Sequence, residues 1–185
     1  QGAQNARNLG SERGRSDWDN RHAFTVSFSY ELPLGPSPWG RGWELTGSGR
    51  MYSGKPFTPQ VSNADLNNGE ANRPDRIADG KLEQRTPQRW FDVFAFPVVP
   101  RGAYRYGNSG RGILDGPGSV ALNLGVSKRF HVRDKDYIQF RLESFNVTNH
   151  TNFRMPNVNV NAPNGATITG ASPARQMQVA LKYQF

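Results

Sequence analysis

Cysteine is absent from the 185 residues, so neither a disulfide framework nor a thiolate metal site is possible. No stretch approaches the roughly 18 to 20 apolar residues that a membrane-spanning helix needs. That test is blind to barrels, because half of each barrel strand is polar. Amphipathic helices are missing as well; residues 88–96 offer only a short helical turn. The three histidines, His22, His131 and His150, lie far apart, with no carboxylate or hydroxyl at a recognisable spacing. Nothing has the form of a GxSxG elbow, a phosphate-binding loop or HExxH, so no catalytic role and no cofactor are expected. The net charge is +8, yet the arginines are scattered singly among acids. There is no basic stripe or basic helix of the kind nucleic acid selects.

What the chain does have is turns and alternation. Glycine (20) and proline (13) are both plentiful. The last ten residues alternate strictly: Met177, Val179, Leu181, Tyr183 and Phe185 fall on one face, Gln176, Gln178, Ala180, Lys182 and Gln184 on the other. A side-chain period of two is a strand with one apolar and one polar face. An apolar strand running to a terminal aromatic suits the closing strand of an outer-membrane barrel. The same period occurs in Phe24, Val26, Phe28, Tyr30 and Leu32. It recurs in Trp43, Leu45 and Met51, with Gly47 and Gly49 between them. In Val120, Leu122, Leu124, Val126 and Phe130 it is broken by Lys128, and it returns in Ile138, Phe140 and Leu142. Strands are therefore expected at about 22–32, 43–53, 119–131, 137–147 and 176–185.

Loop lengths test that assignment. Outer-membrane barrels alternate short periplasmic turns with long outer loops. Counting back from a periplasmic C-terminus, 148–175 is outside and long, 132–136 inside and short, 54–118 outside and very long, 33–42 inside and short, and 1–21 outside. All obey the rule. Trp18, Trp39, Trp43, Tyr52, Tyr137 and Tyr183 lie near strand ends, where interfacial girdles form. The fold expected is all-β, an antiparallel up-and-down transmembrane barrel. Five strands do not close one, so the chain, which starts at Gln1 without a methionine, is expected to be the C-terminal part of something longer. The rival is a soluble all-β module that binds carbohydrate, in which Phe28, Leu124 and Leu142 pack against one another between two sheets. An outer-membrane enzyme needs a nucleophile beside a base, and no such pair is visible.

The ordered succession of short motifs resembles a family. These are Asp19-Asn20-Arg21-His22, Ser53-Gly54-Lys55-Pro56-Phe57-Thr58-Pro59, Asn72-Arg73-Pro74-Asp75, Trp90-Phe91-Asp92, Gly107-Asn108-Ser109-Gly110-Arg111 and Gly116-Pro117-Gly118. Then come the block from Gln139 to Phe153, with Asn146-Val147-Thr148-Asn149-His150-Thr151-Asn152 inside it, and the ending Arg175 to Phe185. Together they resemble the C-terminal end of a TonB-dependent outer-membrane receptor, of the Oar-like class with a carboxypeptidase-regulatory-like domain. The resemblance implies the last five or so strands of a barrel of about 22 with a plugged lumen. It also implies energised nutrient uptake. The partners implied are outer-membrane lipid, the rest of the barrel and its plug, and the TonB complex, reached through N-terminal regions absent here.

Val179, Leu181, Tyr183 and Phe185 resemble the signal that the barrel-assembly machinery reads. Its physical logic is strand addition at an unpaired edge. Inward-facing Arg129, Arg141, Glu143 and Lys182 line a hydrated wall or touch the plug. The long loop suggests a ligand surface at Asp65, Asn67, Asp75, Trp90, Phe91 and Tyr104, since specificity lives in loops. Asp65, Asn67 and Glu70 also offer oxygens of the kind Ca²⁺ takes. Gly69, however, stands where an EF-hand needs Asp or Asn, and no metal is expected. Asn146-Val147-Thr148 and Asn149-His150-Thr151 have the form of the glycosylation triplet, an accidental match in a Gram-negative outer-membrane protein.

Overall fold

A computed structural model describes residues 3–62, 72–133 and 136–185. Its strands are β1 (Ala23–Glu31), β2 (Trp43–Tyr52), β3 (Pro56–Phe57), β4 (Leu114–Asp115), β5 (Ser119–His131), β6 (Tyr137–Phe145) and β7 (Gln176–Gln184). Every strand pairing is antiparallel. The chain divides into two compact units: residues 22–52, 119–152 and 172–185 form one, and residues 1–21, 53–118 and 153–171 the other. No helix among the described residues is long and apolar enough to cross a membrane.

The first unit is one five-stranded sheet in the order β1-β2-β5-β6-β7. Each strand pairs with its neighbour in an up-and-down meander. The sheet is open: β1 and β7 each have one partner. Its registers place like with like. Leu142 sits opposite Val126 on one side and Val179 on the other. Tyr30 faces Leu45, and Phe24 faces Met51. One face is therefore largely apolar across the five strands, and apart from the 33–42 connection over its Lys128 end nothing among the described residues of the unit covers it. Phe28 is 45% exposed, Leu124 40%, Val179 65% and Leu181 73%. Among the described residues, the two-sheet core expected of a soluble sandwich is not formed. Glycines 47 and 49 leave space on this face that neighbours fill: a Cβ on Gly47 would lie 2.3 Å from Cε1 of Phe28.

The opposite face is polar and cross-linked. Glu44 on β2 accepts from Ser29 at 2.7 Å and pairs with Arg129 at 3.5 Å. Glu143 lies 3.5 Å from Arg141 and accepts from Gln178. Asn123 Nδ2 donates to Ser48 at 3.1 Å. A face whose charges find partners across neighbouring strands suits a hydrated surface.

Lys128 corrects a sequence expectation. It lies on the apolar face but does not interrupt it, because it is only 1% exposed. Its ammonium donates to the carbonyls of Pro38, at 2.9 Å, and Arg41 in the short 33–42 connection. It sits 5.7 Å from the Trp43 ring centroid and 5.1 Å from that of Phe130. The apolar stem stays on the face while the charge turns to carbonyls and rings.

The Asn-rich block after β6 is a clasp. Asn146 and Asn149 both adopt φ of 52°, the left-handed region that asparagine tolerates. Asn146 accepts from His150 N at 3.0 Å and donates to Pro173 O at 3.4 Å, just ahead of β7. Asn149 accepts from Arg175 N at 2.9 Å. Asn152 accepts from Val120 N at 2.7 Å and donates to Val120 O at 2.8 Å, imitating a strand neighbour for β5. Three asparagines three residues apart thus join β5, β6 and β7. Asn152→Ala strands both Val120 groups and is expected to cost on the order of 3 kcal/mol. Asn152→Asp keeps the acceptor and should fall between the two in urea titration.

Candidate functional site

The second unit is built from the three long segments, which the sequence marked as long outer connections. Long-range hydrogen bonds and a small core organise it. β3 and β4 pair as Pro56↔Asp115 and Phe57↔Leu114. Around them cluster Phe57, Phe91, Ala95, Phe96, Leu114 and Ala166, all buried. The Phe57 and Phe91 rings are 5.4 Å apart, and those of Phe91 and Phe96 6.1 Å. The helical turn expected within 88–96 is a single 3-10 turn, Val93–Ala95, capped by Asp92. Two backbones touch at Gly54, where a Cβ would come within 1.9 Å of the Gly116 carbonyl.

Residues 3–21 are laced into this unit. Gln4 donates to Gly107 O at 3.1 Å and accepts from Arg73 N at 2.6 Å. Arg15 donates to Gly112 O at 2.9 Å and pairs with Asp115 at 2.6 Å. Arg73 meets Glu12 through two bonds, 2.7 and 2.9 Å, with side chains only 6% and 9% exposed. The Arg73 hydrogen bond, reinforced by its charge, holds the Glu12 carboxyl below its ordinary value of 4.5. A carboxylate with a lowered folded value stabilises the fold above its unfolded value, and that stabilisation is lost as pH falls through the folded one. The unit should therefore loosen on acidification below about 4.5, and pepsin should cut it faster there. Glu12→Gln should flatten that pH dependence while weakening the unit at neutral pH by on the order of 3 kcal/mol, because Arg73 is left buried and unpaired.

The sequence candidates separate. Asp75 grips Arg105 at 2.6 and 2.8 Å and accepts from Asn108 N at 3.2 Å, and the Arg105 hydrogen bond holds its carboxyl below the usual range. Tyr104, 74% exposed, lies beside them. Trp90 is elsewhere: its indole donates to Asp115 O at 2.9 Å, and Arg85 covers the ring at 5.7 Å. Phe91 is 1% exposed and belongs to the core, so its ring presents no ligand surface. Asp65, Asn67 and Glu70 lie outside the described residues. Among the described residues no three His, Asp or Glu side chains gather as metal ligands.

Tyr104 and Arg105, the latter held by Asp75, line a cleft of about 210 Å³. Arg73 and Arg101 line it as well, with Val98 and Pro100 supplying apolar wall. The sequence reading named Tyr104 and Asp75 but missed the arginines, which look like any others in a basic chain. Arg73 had one local signal, its place between Asn72 and Pro74, which restricts its backbone.

On β7, Val179, Leu181 and Tyr183 stand on the uncovered apolar face, and Phe185, just beyond the strand, is 92% exposed. Tyr183 donates to Asp136 at 2.9 Å. Lys182 is paired in register with Gln139 on the polar face. His22, His131 and His150 fall before β1, at the end of β5 and after β6.

The family described as outer membrane beta barrel domain matches residues 1–178. No curated protein and no solved structure matches the chain.

Proposed function

Because the chain belongs to the outer-membrane β-barrel domain family, we propose that it is barrel wall from a TonB-dependent receptor, with a role in energised nutrient uptake and none in catalysis. It lies in the outer membrane with the family. The observation that carries the reading is the uncovered apolar face of a five-strand meander whose other face is polar and cross-linked. Lipid is the solvent that such a face fits.

The finer parts rest on the motif succession and on loop sorting. The three segments expected outside, 1–21, 54–118 and 148–175, contribute the three pieces of a single folded unit. In this reading the C-terminus is periplasmic, the five strands are the last of about 22, and the plug occupies the polar side near Arg129, Arg141, Glu143 and Lys182. β7 offers a free edge with Val179, Leu181, Tyr183 and Phe185 on one face, the form that strand addition by the assembly machinery takes.

Labelling of intact cells tests the topology. A cysteine replacing exposed Phe94 should react with a membrane-impermeant maleimide, and one replacing Pro36 should react only after the outer membrane is opened. The reverse pattern would invert the proposed topology. Photo-crosslinking of the full-length protein to TonB tests the transport reading separately. Absence of any crosslink would remove uptake and leave the barrel standing.

A further inference from the structure

The cleft beside Tyr104 carries three features that the packing of its unit does not use. Arg73 is 5% exposed, and its Nε is buried with no hydrogen-bond partner among the described residues, although its two terminal nitrogens are held by Glu12. A buried guanidinium N–H without an acceptor is costly and needs an explanation. Arg101 lines the same cleft, is exposed, and has no acidic partner among the described residues. Tyr104 adopts φ of 43°, a strained backbone for an aromatic, while its ring stands 74% exposed. Strain kept at a cleft around an exposed ring is what a binding site retains.

The supporting groups are fixed in advance. Asp75 holds Arg105 with two bonds, and Glu12 holds Arg73 with two. Their own carboxylates are thereby occupied, which leaves Arg101 and the Arg73 Nε as unused donors. Val98 and Pro100 add apolar surface to the same lining. The cleft, about 210 Å³, is smaller than the roughly 300–1,000 Å³ that takes a drug-sized molecule. It admits a small molecule or the end group of a larger one.

We propose that this cleft binds an oxyanion, carboxylate or phosphate, borne on a small planar or apolar group that lies against Tyr104. The guanidinium fork suits both anions, and the ring adds a face that neither anion alone uses. The proposal deepens the reading of an uptake receptor, because it names the class of ligand that the folded loops would take. Binding itself requires neither TonB nor a given membrane orientation, so the two readings fail separately.

The test is isothermal titration of the full-length protein in detergent micelles with benzoate, benzamide and inorganic phosphate. Saturable binding of benzoate but not of benzamide is expected, with phosphate weaker than benzoate. Arg101→Gln should weaken benzoate about tenfold, the loss of one charge-assisted hydrogen bond. Tyr104→Gly relieves the backbone strain, so it should raise the melting temperature while bringing benzoate down to the affinity of phosphate. That opposite movement of stability and affinity distinguishes a ligand contact from a structural one. Equal binding of benzoate and benzamide, benzoate affinity unchanged in Arg101→Gln, or no saturable binding of either anion overturns the proposal.

Discussion

Leu124→Arg is expected to destabilise the protein folded in a bilayer by about 2–4 kcal/mol, the cost of a lipid-facing arginine near the midplane of a barrel. Gln178→Arg, on the polar face of β7 beside Glu143, is expected to cost close to nothing. The contrast follows from the sheet. Leu124 is central in β5, opposite Gly47 and Ser144, and is 40% exposed on the apolar face. Gln178 turns to the other face, is exposed, and bonds Glu143. Urea titration in vesicles, read by tryptophan fluorescence, measures both. A soluble setting predicts something different: an arginine at a half-exposed position of an open sheet would be nearly silent. The size of the effect therefore reports the solvent of the face rather than the sheet alone.

Phe91→Ala is expected to cost about 3–5 kcal/mol, the usual loss for a buried phenylalanine. The effect should be confined to the loop unit. Phe91 is the ring that Phe57 and Phe96 both touch, so its removal opens a cavity where three distant chain segments meet. Limited proteolysis should show new cuts within 53–118 and 153–171 with the strands of the sheet still protected. Loss of the whole fold would mean that the loops are not a separately packed unit. Phe94→Ala is the control. Its ring is 78% exposed, and it should change proteolysis little.

The sheet was readable because its signal is local. Period two is visible in any five consecutive residues, and it marks 176–185, where the structure has Gln176–Gln184 as β7. The loop unit was not readable, for the opposite reason. Gln4 bonds Gly107, Glu12 bonds Arg73, and Trp90 N bonds Ala166 O. No window of sequence contains both partners. Phe91 illustrates the consequence: next to Trp90 it looked like a surface aromatic, yet the fold places it at the centre of the core. Lys128 looked like a defect in an apolar face because its compensating groups are backbone carbonyls, which carry no sequence signature. The asparagine block was visible as a motif, but its purpose is geometric. Only the left-handed turns at Asn146 and Asn149 reveal why that residue recurs there.

The central claim, that one face of this sheet meets lipid and the other water, is open to one direct measurement. The chain contains no cysteine, so single cysteines from Gln176 to Gln184 can each carry a fluorophore without background. In vesicles, a quencher confined to the acyl chains should act on labels at 177, 179, 181 and 183, and an aqueous quencher on those at 178, 180 and 182. Alternation with a period of two along β7 is the predicted result. Uniform access of the aqueous quencher to both sets of positions would contradict the account.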